Sequence, residues 1–351
     1  MKLIVKNSIY FILTFIVAII LLDSYIFLSN IETKSPNNFI EEYGRCRKSE
    51  MDYVYFNEGF SIGNFNKGGY LNSYYSKEKP DNVIRIGVLG DSYVEGFQVF
   101  ERNHFLKLSE RKLNHKYVDS VQILNFGRSG FDFGDMYVYY ERLIKEYNCD
   151  INLFFVSNTD LNIKQKDVLI PKLKYANKEL IITNDQMPKQ YKESFINQIP
   201  FSNLSTIYKM LNDARKLIKS GELAPKLFDK FYKNSDVNTN NIFIEEANVQ
   251  TADLSFKILL ELQKEKSKII IVNRDNSNLD PIFTSAINSP LLYFDLYKDS
   301  KLYKNNNDSH YWDISKKYGH WNIAGHKMVS ESLSQFLNNL IVGSSNTVKH
   351  E

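Results

Sequence analysis

Cysteine is almost missing from this chain: 351 residues contain only Cys46 and Cys149. The pair forms no C-x-x-C and no Cys/His cluster, so nothing in its spacing points to zinc, and no metal is expected. An exported location would permit one disulfide, but two unrelated thiols fit the sequence equally well. An excess of one charge is also missing. Lysine and arginine number 44 against 41 acidic residues, a formal net charge of +3 that is evenly spread, which argues against a nucleic-acid partner. No G-x-x-x-x-G-K-[ST] run is present, so a P-loop lacks its lysine, and Gly87, Gly90 and Gly96 do not have the G-x-G-x-x-G spacing of dinucleotide binding. Val94 stands where the G-x-S-x-G elbow of α/β-hydrolases needs its second glycine. No cofactor is expected, and no apolar lid pattern favours a plain lipase.

What is present begins with a long apolar run. Residues 8–28, SIYFILTFIVAIILLDSYIFL, carry one charge, Asp23, near the distal end. That is long enough to span a bilayer as a helix. Lys2 and Lys6 precede it, which favours a cytoplasmic N-terminus. A cleaved signal peptide is the alternative, but the run is long for one and no A-x-A site follows. The expectation is a single-pass anchor over residues 1–29 and an extracytoplasmic body. Asp23 then belongs at the interface, since a carboxylate at mid-bilayer costs about 2.5–3.5 kcal/mol.

With 43% hydrophobic and 24% charged residues, the remainder has a normal globular balance. Residues 30–80 lack clear periodicity and read as a linker and approach segment. A domain follows over 81–342, interrupted by an insertion at about 162–250, and a polar tail closes the chain at 343–351. Short apolar runs at Ile84–Leu89, Val121–Leu124, Ile151–Val156, Lys268–Asn273 and Leu291–Leu296 read as core strands. Helical spacing recurs at Asn103–Tyr117, Gly134–Tyr147, from Thr251 onward and over Ala324–Leu340. Within the insertion, Leu180–Thr183 reads as a hairpin strand, Leu204–Ile218 as a helix and Lys230–Asn241 as a polar stretch. This β–α alternation predicts an α/β fold with a parallel sheet between two helical layers.

Four of the loops carry residues suited to acyl chemistry. Gly90-Asp91-Ser92 follows the first strand, at the carboxyl end where open α/β sheets present their sites. Alone, such a tripeptide is more often a turn. Asn125-Phe126-Gly127-Arg128-Ser129-Gly130 follows the second strand, and its glycines let backbone N–H groups approach a ligand. Ser157-Asn158-Thr159-Asp160 follows the third, where an asparagine offers an amide donor or makes an ordinary Asx turn. His320 lies in a loop before the final helix, where a lone histidine is usually a surface residue.

Taken together, this Ser, Gly, Asn, His order resembles the SGNH/GDSL hydrolase family over roughly residues 80–340. The resemblance implies a three-layer flavodoxin-like sandwich with a central parallel sheet, here preceded by one N-terminal transmembrane helix. It implies Ser92 as nucleophile and His320 as its base. The N–H groups of Ser92 and Gly130 and the amide of Asn158 would form the oxyanion hole, with Asp91 shaping the turn. The family usually places an aspartate two or three residues before the histidine, where this chain has Tyr318 and Lys317. Asp313, seven residues upstream, is the nearest preceding acid. The site is then a Ser-His dyad, borrows an acid from elsewhere, or is weakened. If Asp160 fits the family's Asn-Asp pair, Thr159 takes the donor position instead of Asn158.

The block His320-Trp321-Asn322 with Gly325-His326 is similar to that of exopolysaccharide acetylation proteins. The expected function is therefore an exported, membrane-anchored serine esterase acting on acyl, especially acetyl, esters of envelope or extracellular polysaccharide. A carbohydrate O-acetyltransferase would share the acyl-enzyme and need an acyl donor delivered by a membrane partner. A non-catalytic glycan-binding protein on the same scaffold is the rival from another class, supported by the missing acid.

Overall fold

In this computed structural model, residues 2–28, 37–55, 58–117, 120–165, 169–176, 179–185, 249–299 and 306–347 are described. The five apolar runs form strands: β1 (Ile84–Leu89), β2 (Val121–Asn125), β3 (Ile151–Val156), β4 (Lys268–Asn273) and β5 (Leu292–Asp295). All neighbours are parallel, in the order β2-β1-β3-β4-β5. This is the flavodoxin-like order, with its switch point between β1 and β3. In register, Val88 faces Asn125 on one side and Leu153 on the other.

Successive side chains in a strand point to opposite faces, so a strand buried on both sides reads as a continuous apolar run. Phe154, Val156, Ile269 and Ile271 pack on one face with α3 (Phe133–Arg142) and α4 (Val249–Leu262). Leu153, Phe155, Ile270 and Val272 pack on the other with α2 (Phe105–Tyr117) and α5 (Ile323–Thr347), the last through Val329, Leu333 and Leu337. The three layers are those expected from the sequence. The helix α1 (Lys2–Leu28) contains Val5–Tyr25, with a mean hydropathy of 2.2, and is long and apolar enough to cross a membrane or to serve as a signal sequence.

Three boundaries differ from expectation. Residues 37–80 are no linker: they belong to the compact unit Pro36–Lys189 with Glu246–Glu351 that contains the sheet. They form two antiparallel hairpins, Asn37–Ile40 with Gly44–Arg47 and Asp52–Tyr55 with Ser61–Asn64. Tyr53, Phe65 and Leu71 give this segment a small core of its own. Strands of four residues are too short for alternation to register in sequence. The helix expected over Gly134–Tyr147 breaks at Leu143, whose φ of −135° leaves the helical region, and resumes as a 3₁₀ turn over Ile144–Tyr147. The helix α5 runs on to Thr347, past the expected start of a tail. In the insertion, Glu179–Thr183 pairs with Lys172–Ala176 as a hairpin. The helix expected at Leu204–Ile218 and the polar stretch Lys230–Asn241 lie outside the described residues.

Candidate active site

Ser92 opens a single helical turn, Ser92–Glu95, directly after β1. Asp91 caps that turn, its Oδ1 accepting the Tyr93 N–H at 3.0 Å. The cap is why the apolar strand stops at Gly90 and presents the next hydroxyl at the sheet's carboxyl edge. His320 reaches the same point from the loop before α5. Its Nε2 lies 2.7 Å from the Ser92 Oγ. The carbonyl of His320 accepts the Trp312 Nε1–H at 2.9 Å, which fixes the loop from behind.

On the far side of the imidazole stands Glu58, from the second N-terminal hairpin. Both of its carboxylate oxygens lie 2.9 Å from His320 Nδ1, and Oε2 also accepts the His320 backbone N–H at 3.1 Å. With Nδ1–H donating to the carboxylate, Nε2 is left to accept from the serine hydroxyl. The pair is partly open to solvent, at 24% and 15% side-chain exposure, so a substrate can reach it. Gly319 makes room for the carboxylate: a Cβ there would sit 2.6–2.9 Å from the Glu58 carboxyl atoms. Asp313, the acid nearest His320 upstream, is instead 89% exposed and 3.5 Å from Lys316. The acid that sequence reasoning missed thus comes from the segment read as a linker. The absence of an acid before His320 was the only signal that one must come from elsewhere.

The second loop is fastened alongside the Ser92 turn. Phe126 N–H donates to Val88 O at 2.8 Å and Arg128 N–H to Gly90 O at 3.0 Å. Glu95, fully buried, accepts from Arg47 Nε and Nη2 at 2.7 and 2.8 Å, from Ser129 N–H at 2.8 Å and from the Ser129 hydroxyl. Burial pushes the Glu95 carboxyl up, but Arg47, Arg128 and the Ser129 hydrogen bonds together outweigh it and leave it below the usual value. Gly130 follows with φ +81°, a left-handed backbone that favours glycine. Among the described residues, the N–H groups of Ser92 and Gly130 donate no hydrogen bond.

Asn158 is placed differently from expectation. Its amide donates to Asn278 O at 3.0 Å and Ser277 Oγ at 3.4 Å, while its Oδ1 accepts the Asp280 N–H at 2.8 Å. The amide expected at the oxyanion is therefore committed to the 277–280 loop. Thr159, the alternative donor, has its hydroxyl 2.8 Å from Ser157 Oγ. Asp160 makes a capping box with Ser157 and lies 2.8 Å from Arg274, which also reaches Asp91 at 2.6 Å. Burial pushes the Asp160 carboxyl up to about 6; Arg274 lowers it and Asp91 raises it.

The rest of the histidine block is architectural. Trp321 is fully buried. His326 is buried and its Nδ1 accepts the Phe105 N–H at 3.1 Å, satisfying a donor at the start of α2. Asn322 accepts from Gly325 N–H at 2.9 Å at the start of α5. Cys46 and Cys149 are free, buried thiols. Among the described residues, no group of three or more His, Cys, Asp or Glu is placed to hold a metal. A cavity of about 1220 Å³ opens at the amino ends of β1, β3 and β4, lined by Ile84, Ile151 and Lys268 among others, and contains neither Ser92 nor His320.

No family model and no curated protein matches this chain. Solved structures do. One is a two-domain esterase active on acetylated mannans, co-crystallised with mannopentaose: 12% identity, 73% of this chain, 49% of that chain, TM-score 0.37. This chain thus spans about half the length of that esterase. Another is the acetyl xylan esterase AlAXEase: 16% identity, 71% of this chain, 98% of that one, TM-score 0.34. A third is a member of the lipolytic protein G-D-S-L family from Veillonella parvula DSM 2008: 12% identity, 71% and 94% coverage, TM-score 0.33. In strand order, and in the strand ends from which Ser92, the 125–130 loop and residues 157–160 emerge, the chain has the fold that the SGNH resemblance implies.

Proposed function

We propose that this chain is a membrane-anchored serine esterase of the SGNH type, acting outside the cytoplasm on acyl, chiefly acetyl, esters of polysaccharide. The observation that carries the reading is the unbroken hydrogen-bonded row Ser92 Oγ, His320 Nε2, His320 Nδ1, Glu58 carboxylate. A serine hydroxyl is a weak nucleophile until a base takes its proton. Here His320 takes it as Oγ bonds to the ester carbonyl carbon, and Glu58 stabilises the imidazolium that forms. The carbonyl electron pair moves to oxygen, and the unengaged N–H groups of Ser92 and Gly130 supply donors for it. Collapse of the tetrahedral species breaks the C–O bond, and His320 gives its proton to the departing alcohol. Water repeats the sequence on the acyl-serine and releases the acid. With Glu58 beside His320, the missing acid no longer favours a non-catalytic binder. Acetate on sugar hydroxyls suits a partly open site.

The test is hydrolysis of p-nitrophenyl acetate by the full-length protein in detergent, beside Ser92→Ala and His320→Ala. Loss in both variants supports the reading. A folded wild type that neither hydrolyses the ester nor is labelled by a fluorophosphonate at Ser92 overturns it. Acetate release in the presence of a sugar acceptor separates hydrolysis from transfer: an acceptor that captures the acyl group makes the chain a transferase.

A further inference from the structure

Arg274 is the first residue after β4, and its side chain is 8% exposed. One nitrogen, Nη2, meets three acceptors from two other strand ends: Asp91 Oδ2 at 2.6 Å, Asp160 Oδ2 at 2.8 Å and Ser157 Oγ at 3.1 Å. Its backbone N–H donates to Val156 O at 2.9 Å, so the residue is anchored to β3 as well. The guanidinium carbon lies 4.6 Å from the centroid of the Tyr93 ring. That ring lies 4.6 Å from the His320 imidazole. Asp91 uses its other oxygen, Oδ1, to cap the turn that begins with Ser92. Arg274 is thus linked through Asp91 to the backbone of the turn that Ser92 opens, and through the Tyr93 ring to the His320 imidazole.

We infer that Arg274 is a positioning residue that holds the Ser92 turn, the 157–160 loop and the His320 imidazole in a single fixed arrangement. The inference rests on the serine-esterase reading for its kinetic consequence, though not for its structural one. Two buried carboxylates, Asp91 and Asp160, converge on one cation, and without it they would repel each other across the base of the site. The flat guanidinium also matters, because it alone offers both a fork of donors and a face to Tyr93. Lysine would keep the charge and lose that face.

The experiment measures fluorophosphonate labelling of full-length wild type, Arg274→Met and Arg274→Lys as a function of probe concentration. Alongside it, amide hydrogen exchange is followed at residues 91–95 and 157–161. The expected result is a maximal labelling rate at least tenfold lower in Arg274→Met, with an unchanged half-saturating concentration, and an intermediate rate in Arg274→Lys. Exchange in both segments should quicken in Arg274→Met. A folded Arg274→Met that labels at the wild-type rate, or exchanges as wild type does, overturns the inference. If the wild type neither takes the label nor hydrolyses the ester, the esterase reading fails on its own, and exchange still decides the positioning claim. Should Arg274→Met not fold, Arg274→Lys is judged alone, and wild-type labelling and exchange there overturn it.

Discussion

Glu58 and His320 are 262 residues apart in sequence, and both carboxylate oxygens of Glu58 lie 2.9 Å from His320 Nδ1. The contact joins an N-terminal hairpin to the loop before the last helix. It gives a specific expectation for each acid near the site. Glu58→Gln keeps the shape but presents an amide where Nδ1–H needs an acceptor, favouring the wrong tautomer. Ester hydrolysis should fall by a factor on the order of 10⁴, as when a triad acid is replaced by its amide. Asp313→Asn, in a solvent-exposed pair with Lys316, should leave kcat unchanged. Equal kcat for Glu58→Gln and wild type would sink the assignment.

Gly319→Ala tests the same contact from the histidine side. The new methyl group would sit within 2.6–2.9 Å of the Glu58 carboxyl atoms and push the acid off the imidazole. Activity should approach that of Glu58→Gln, while the melting temperature changes little, since the site is at the surface. Full activity in the alanine variant would show that the carboxylate can shift without consequence.

Glu95 carries a different load. Removing its charge in Glu95→Ala leaves Arg47 and Arg128 buried together, both less than a tenth exposed, without that countercharge. Breaking a buried pair from one side costs about 3–5 kcal/mol. The urea midpoint should drop accordingly, and the Ser129–Gly130 loop should lose protection from exchange before the sheet does. Unaltered stability would mean that the arginines find water or another acceptor.

Acid should destabilise the fold through its buried histidines. Burial pushes His104 down to about 3 and His310 to about 4, and holds His326 well below its ordinary value. A histidine depressed in the native state contributes stability that is present above its unfolded pKa near 6.5 and is lost as pH falls below it. At pH 5, His104 alone removes about 2 kcal/mol. Asp160, raised to about 6, acts the other way and returns roughly 1 kcal/mol over the same interval. Urea unfolding at pH 7.5 and 5.0 reads the balance, and a higher midpoint at pH 5.0 would contradict it.

The sheet was legible because its central strands are buried on both faces and so are written as nearly continuous apolar runs, such as Leu153–Val156. That Ser92 and His320 meet, 2.7 Å apart, could be anticipated because each sits where such a pattern is cut by glycine or gives way to a helix. Glu58 was not, because nothing local marks it. Its contact with His320 depends on the close approach of Gly319, and the strands on either side of it are four residues long. Asn158 shows the opposite limit. Its position at the end of β3 was read correctly, but side-chain direction depends on the 277–280 loop, 120 residues away.

The order in which the site is completed follows from where its parts lie. A growing chain carries Glu58 and Ser92 early, and His320 only when nine-tenths of it has been made. If the proposed row of Ser92, His320 and Glu58 is the reacting one, then until the last helix docks the serine has no base and the carboxylate has nothing to orient. Closing a loop of this length is among the slowest and entropically dearest steps of folding. On the proposed reading, a body exported behind an N-terminus that stays in the cytoplasm would thus travel with an inert hydroxyl, and would acquire its reactivity as the final act of folding at its destination.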